Sequence, residues 1–154
     1  MGETFSDFNG SELQQLECGE ASGKLFDFNM EEEVRNQSLV LRAIQDGFIS
    51  ACNDVSEGGL AVALSECCFE HGVGAEITLD MDTALIFAET QSRFVLSVPQ
   101  DKQLAFEKIY GARCRKVGSV TASSTLHITT NNDEFSVPVA ELKAGWEQTI
   151  SQHM

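Results

Sequence analysis

Two polar stretches hold the residue types that could do chemistry. Residues 53–64 read NDVSEGGLAVAL. They place Asp54, Ser56 and Glu57 just before Gly58-Gly59, and an apolar, helix-like run follows. A helix N-terminus preceded by a glycine-containing turn presents free N–H groups, which suit phosphate. A carboxylate beside it would repel that phosphate unless Mg²⁺ lay between them. The same residues also permit a structural account. Asp54 can cap the helix with Glu57 completing a capping-box-like pair. Gly58-Gly59 is not explained by a cap, because glycine inside a helix is unfavourable by up to about 1 kcal/mol relative to alanine. The pair implies either another backbone packed against it or a ligand in close approach. The second stretch is Ala88–Arg93, AETQSR: carboxylate, hydroxyl, amide, hydroxyl and cation in succession, ahead of a strand-like run.

The elements that must position these residues follow from periodicity and punctuation. A helix is expected over Met30–Asp46, with an acidic first turn, Gly47 as its C-terminal cap, and Val34, Leu41, Ile44 and Phe48 near one face. A short strand is expected at Phe48–Cys52. The helix after the glycine pair is expected to run to about Glu70, with Leu60, Leu64, Cys67, Cys68 and His71 on one stripe, and to be closed by Gly72 and Gly74. Ala75–Asp80 alternates as a strand, with Ile77 and Leu79 on one face. Thr83–Phe87 is ambiguous, and Arg93–Val98 reads as a strand ended by Pro99. Asp101–Tyr110 reads as a helix with Leu104, Phe106 and Ile109 available for packing, and Arg115–Val120 as a strand. Asn131-Asn132-Asp133 joins Thr125–Thr130 and Glu134–Val137 as a hairpin. Pro138 can open a last helix whose stripe is Leu142, Trp146 and Ile150. The pattern implies an α+β (α/β-like) domain with a mixed β-sheet and packed helices. Residues 1–29, rich in Gly, Ser, Asn and Phe, read as an extended lead-in, and 30–154 as the domain proper.

Composition narrows the class. The chain has 154 residues and a formal net charge of −14. Residues 1–35 carry nine carboxylates against Lys24 and Arg35, half of that net charge. A field of this sign disfavours nucleic acid and anionic membranes as partners. Cys18, Cys52, Cys67, Cys68 and Cys114 are odd in number and lack C-x-x-C spacing, which predicts reduced thiols without metal. His71, His127 and His153 show no zinc-type spacing. The sequence contains no signal peptide and no membrane-length apolar run, so a cytoplasmic location is expected.

Taken together, Cys52–Leu64, Gly74-Ala75-Glu76-Ile77 and Glu89-Thr90-Gln91-Ser92-Arg93-Phe94-Val95-Leu96-Ser97-Val98 resemble the closing domain of phosphoribosylformylglycinamidine synthases. Gly2-Glu3-Thr4 with Gly10-Ser11-Glu12-Leu13 resembles the segment leading into that domain, and Val137–Trp146 the end of the small-type enzyme. The resemblance spans nearly the whole chain. It implies the C-terminal half-domain fold of the aminoimidazole ribonucleotide synthetase-like superfamily, in the second of two copies. It also implies that the chain is a fragment of a larger ATP-dependent C–N ligase of purine biosynthesis, inactive alone. That ligase converts formylglycinamide ribonucleotide, ATP and glutamine-derived ammonia to the amidine, ADP and phosphate.

By pseudo-symmetry, the resemblance makes Asp54 a Mg²⁺ ligand and makes Gly58, Gly59, Glu89, Thr90 and Gln91 contacts to substrate or nucleotide. No catalytic residue is implied. Relatives mostly carry His where this chain has Asn53, and Ser where it has Thr90. Mg²⁺ and ATP are implied for the full-length enzyme, with none expected on this fragment. The implied partners are the remaining domains of the same synthase, a glutaminase and a small accessory subunit. Two other readings stand beside it: another ATP-dependent phosphoryl-transfer enzyme of the superfamily, and a structural docking module.

Overall fold

The computed structural model describes residues 1–152, with side chains through Gln148. It contains α1 (Glu12–Cys18), α2 (Met30–Gln45), β1 (Ala51–Asp54), α3 (Gly59–Phe69), β2 (Gly74–Thr78), β3 (Phe94–Ser97), α4 (Gln103–Tyr110), β4 (Gly118–Thr121), β5 (Thr125–Thr129), β6 (Glu134–Pro138) and α5 (Val139–Gln152). Thr83–Phe87, ambiguous in sequence, is a 3₁₀ turn. The mixed α/β class is as expected. Two compact units are present: Met1–Ala63 with Leu85–Lys116, and Leu64–Ala84 with Val117–Met154.

In the first unit, β1 and β3 form an antiparallel pair with Ala51 opposite Ser97 and Asp54 opposite Phe94. A two-stranded ribbon is marginal by itself in water, and here it adjoins an aromatic core. Ala43, Phe106 and Tyr110 are buried, with Leu39, Phe48, Ile49, Leu96, Val98 and Cys114 packed around them. Phe48 meets Phe106 and Tyr110 edge-on, with centroids 6.1 and 6.0 Å apart, a favoured aromatic geometry. Helix α2 is capped by Asn29, whose side chain accepts from the Glu31 and Glu32 amides. It ends as Gly47 implied. Gly47 has φ +71°, its N–H donates to Ile44 O, and Phe48 N–H donates to Ala43 O at 3.0 Å, the paired bonds of a Schellman turn.

The inward faces of two helices differ from the expectation. In α2 the buried residues are Asn36, Val40 and Ala43, while Val34, Leu41 and Ile44 are exposed. In α4 Phe106 and Tyr110 point inward, and Leu104 and Ile109 face solvent. In both helices several apolar stripes were available, and the aromatic cluster selected between them.

The second unit is a four-stranded sheet of order β4-β2-β5-β6, with β2 parallel to β5 and the other pairs antiparallel. Ala75, Ile77, Leu79, Leu126 and Ile128 are buried, which matches the alternation in the sequence. The 131–133 hairpin joins β5 to β6 as expected, with Thr130 N–H donating to Asp133 O at 2.9 Å. Leu64 and Cys68 of α3 are buried, whereas His71 lies beyond the helix and is exposed. Pro138 closes β6, so α5 begins at Val139. Trp146 was expected in the core. It is 59% exposed and tilts against Phe69 at 6.0 Å. Leu142 is half-buried, and the Ile150 side chain and His153 lie outside the described residues.

Candidate functional site

Both polar stretches lie in the first unit, and the β1–β3 pairing brings them together. Asp54 ends β1 opposite Phe94, and Val55 N–H donates to Arg93 O at 3.0 Å. The chain then turns through Ser56–Gly59 before α3. Since α3 begins at Gly59, Asp54 is not its N-cap, and the Asp54–Glu57 capping box does not form. The reason is local: pairing with β3 keeps Asp54 extended, and Gly59 N–H donates to Ser56 O at 3.0 Å to close the turn. The Asp54 carboxylate is exposed and accepts from the Ser56 hydroxyl.

The glycine pair has a direct geometric cause. Gly58 and Gly59 have φ of +72° and +65°, a region that costs an L-residue roughly 1–2 kcal/mol. A Cβ on Gly59 would sit 2.5 Å from Ala88 O and 2.7 Å from Ile86 O. Backbone from the start of the second stretch thus packs directly on the turn, the first of the two accounts left open by the sequence.

Glu89 meets the same turn. Its Oε1 accepts from Gly58 N–H at 2.8 Å and from Glu12 N–H, at the start of α1, at 2.9 Å. An internal carboxylate therefore takes up the Gly58 N–H that the sequence suggested for phosphate. Thr90 is 7% exposed. Its hydroxyl accepts from Phe5 N–H at 3.0 Å and donates to Phe5 O at 3.1 Å. Gln91 is exposed. The structure thus joins Gly58, Gly59 and Glu89, places Asp54 at the start of the same turn, and directs Thr90 to the lead-in.

Arg93 carries the largest electrostatic perturbation of the region. Its side chain is 4% exposed. It donates from Nε to Thr90 O at 2.6 Å, from Nη2 to Ala88 O at 2.6 Å and from Nη1 to Thr4 Oγ1 at 3.1 Å. Burial lowers its pKa to about 10, against the Asp7 and Glu89 carboxylates, which raise it. The fork geometry of guanidinium suits this multiple attachment. Ser92, next to it, has φ +62°. Asn36 Nδ2 donates to Ser92 O at 2.9 Å, and the Ser92 hydroxyl donates to Glu33. Sequence reasoning missed Asn36. It stands in the polar run Arg35–Ser38, so its neighbours in the sequence gave no signal, and burial leaves its Oδ1 without a partner among the described residues.

The donor set tests a cation here. Among the described residues, no group of three or more His, Cys, Asp or Glu side chains could hold a metal ion. The Asp54 carboxylate faces solvent, while one Glu89 oxygen is bonded to two amides. Asp54 fits Mg²⁺ only as a single carboxylate ligand, which is how Mg²⁺ is held when phosphate and water complete its shell. In the second unit, an open groove of about 510 Å³ is lined by Glu76, Ile77, Thr78, Ser123, Thr125 and His127 and contains none of the predicted site residues. No helix among the described residues is long and apolar enough to cross a membrane.

The family described as AIR synthase related protein, C-terminal domain, matches residues 2–131, which include every residue of this site. The chain belongs to that family. Across all 154 residues it is 45% identical to the phosphoribosylformylglycinamidine synthase subunit PurL of Lacticaseibacillus paracasei, and it spans 21% of that protein's length. The fold resembles that of a part of PurL from Thermotoga maritima. A structure of that protein complexed with FGAR aligns with TM-score 0.62 at 22% identity, over 81% of this chain and 23% of that one. The PurLQS structure from the same organism aligns with TM-score 0.67 at 18% identity, over 86% and 24%. The chain thus spans about a fifth of the length of the curated relatives it matches.

Proposed function

We propose that this chain works as the second C-terminal half-domain of a phosphoribosylformylglycinamidine synthase, residues 1–29 being its lead-in and 30–154 the half-domain. The whole ligase would convert formylglycinamide ribonucleotide, ATP and ammonia to formylglycinamidine ribonucleotide, ADP and phosphate in the cytoplasm. The ammonia would come from a glutaminase subunit held with a small accessory subunit. The observation that carries this reading is 45% identity to a PurL subunit along the entire chain. In this reading Asp54 is the residue that would hold Mg²⁺, and the ion would supply charge neutralisation of a phosphate. Gly58, Gly59, Glu89, Thr90 and Gln91 form the adjoining nucleotide-side wall. Within it Glu89 and Thr90 act through backbone amides: they fix the turn and the lead-in. Only Asp54 and Gln91 offer exposed polar ends.

The test is a chimera of the L. paracasei synthase in which this chain replaces the 154 residues it matches. Retained ATP-dependent amidine formation by the chimera, with none from the chain alone, is the expected result. Loss of activity in a chimera that folds would overturn the assignment.

A further inference from the structure

The resemblance gives Arg93 no site role, and packing alone does not explain its burial. The guanidinium is almost completely enclosed. Its three bonds all run to uncharged oxygens: Thr90 O, Ala88 O and Thr4 Oγ1. Burial lowers its pKa only to about 10, so the cation persists at neutral pH. A buried cation held by neutral groups is disfavoured against an apolar side chain of similar volume. What guanidinium offers instead is its rigid fork of donors. Ala88 and Thr90 flank Glu89 in the chain, so Nη2 and Nε grip the backbone on both sides of Glu89. The Glu89 N–H is held too, donating to Asp7 O at 3.0 Å. With its backbone fixed in this way, Glu89 delivers Oε1 to the Gly58 amide. Ala88 O, the acceptor of Nη2, is also the atom that a Cβ on Gly59 would meet at 2.5 Å. Arg93 thus bears on the Glu89–Gly58 bond and on the packing of Ala88 against Gly59. To reach back along its own loop, the chain passes through Ser92 at φ +62°, whose carbonyl accepts from Asn36 Nδ2 at 2.9 Å.

We infer that Arg93 is a positioning residue for this site: by holding the carbonyls on either side of Glu89 it fixes the glycine turn and leaves Gln91 as the exposed polar end of the loop. Affinity for a magnesium-bound nucleotide then depends on Arg93 without any contact between the two. This inference rests on the function proposed above. Lysine does not replace arginine in this role, because its ammonium is a compact charge without the planar fork.

The test places Arg93→Lys in the chimera and in the free chain. In the chimera, KM for Mg-ATP is expected to rise about tenfold while kcat stays within about twofold, the pattern of binding lost equally from ground and transition states. In the free chain, exchange of the Gly58 amide is expected to quicken about tenfold relative to that of the core residue Tyr110. Gly47→Ala, which weakens the fold outside this clamp, controls for stability and is expected to change neither quantity. An unchanged KM for Arg93→Lys in an active chimera overturns the inference and leaves the function standing. An equal rise in KM for Gly47→Ala reduces Arg93 to a general stabiliser and also overturns it. A folded but inactive parent chimera overturns the function. The clamp is then decided by Gly58 exchange, and a Gly58 rate that merely follows Tyr110 overturns it. If Arg93→Lys does not fold, Arg93→Gln, which buries no charge and keeps two donors, is read by the same criteria.

Discussion

Glu89 Oε1 lies 2.8 Å from the Gly58 amide nitrogen and 2.9 Å from that of Glu12. One carboxylate oxygen thereby joins the turn before α3 to the first turn of α1. The negative charge suits both positions, since each presents backbone N–H groups. Glu89→Ala should cost about 1–3 kcal/mol, the penalty for leaving such donors unsatisfied. Glu89→Gln, which keeps an acceptor, should cost less. Urea midpoints of the three proteins check this, and equal midpoints would mean that water replaces the carboxylate without loss.

Gly59 and Gly47 provide a matched comparison. Both have positive φ, but a Cβ on Gly59 meets the Ala88 and Ile86 carbonyl oxygens, whereas one on Gly47 meets nothing within 4 Å. Gly47→Ala should cost roughly 1–2 kcal/mol from backbone conformation alone. Gly59→Ala adds a backbone collision and should cost about 3 kcal/mol or more. Similar losses at the two sites would argue against the close approach of residues 86–88 to the turn.

Thr90 should tolerate serine and not valine. Its hydroxyl both accepts from and donates to Phe5 backbone. Thr90→Val keeps the shape and leaves the Phe5 N–H without its acceptor, while Phe5 O keeps the bond from Asp7 N–H, for an expected loss of about 1–3 kcal/mol. Thr90→Ser keeps both bonds and should lose less than about 1 kcal/mol. The Phe5 amide exchange rate is the direct readout: faster in the valine variant, near normal in the serine variant.

Cys68 supplies a pH dependence. Burial raises its thiol above the ordinary value of about 9. The folded chain therefore keeps the proton while the unfolded chain releases it near pH 9. Above that pH the unfolded state binds fewer protons, so stability falls as pH rises. The contribution is complete below about pH 9 and is lost as pH climbs toward the folded value. Urea unfolding at pH 8 and pH 10 should show wild type losing more stability than Cys68→Ala. Parallel losses would remove the thiol from the account.

Much of this was legible in the sequence. The alternation at Ala75–Leu79, the hairpin at 131–133 and the Gly47 terminator are local signals, and the structure forms each of them. The adjacency of Gly58-Gly59 and Glu89–Arg93 was legible only through resemblance, because the contact joins residues about thirty positions apart. What stayed hidden depends on neighbours that periodicity does not name. Asp54 looked like a helix cap, yet pairing with β3 holds it in a strand. Arg93 stands at the end of a polar run, yet carbonyl groups of its own loop and a lead-in hydroxyl hold its buried guanidinium. Leu41 and Val40 are both plausible inward residues, and only the position of Phe106 and Tyr110 decides between them.

Trp146 shows the same limit and gives the sharpest optical test. Spacing of four from Leu142 suggested a core stripe, for which Trp146→Ala would cost about 3–5 kcal/mol. At 59% exposure, with Phe69 as its ring contact at 6.0 Å, the indole gives up much less on truncation. An aromatic pair of this kind contributes about 0.5–1.5 kcal/mol beyond area burial, so the expected loss is near 1 kcal/mol. Trp146 is the sole tryptophan, so its emission can be read without deconvolution. The native spectrum should already lie close to that of the urea-unfolded chain, and acrylamide should quench it readily. Phe69→Ala should shift it slightly further to the red, since the ring that shields one face is gone. A strongly blue-shifted native spectrum together with a loss of 3 kcal/mol or more in Trp146→Ala would return this residue to the core. That result would also make the outward face of α5 an inward one.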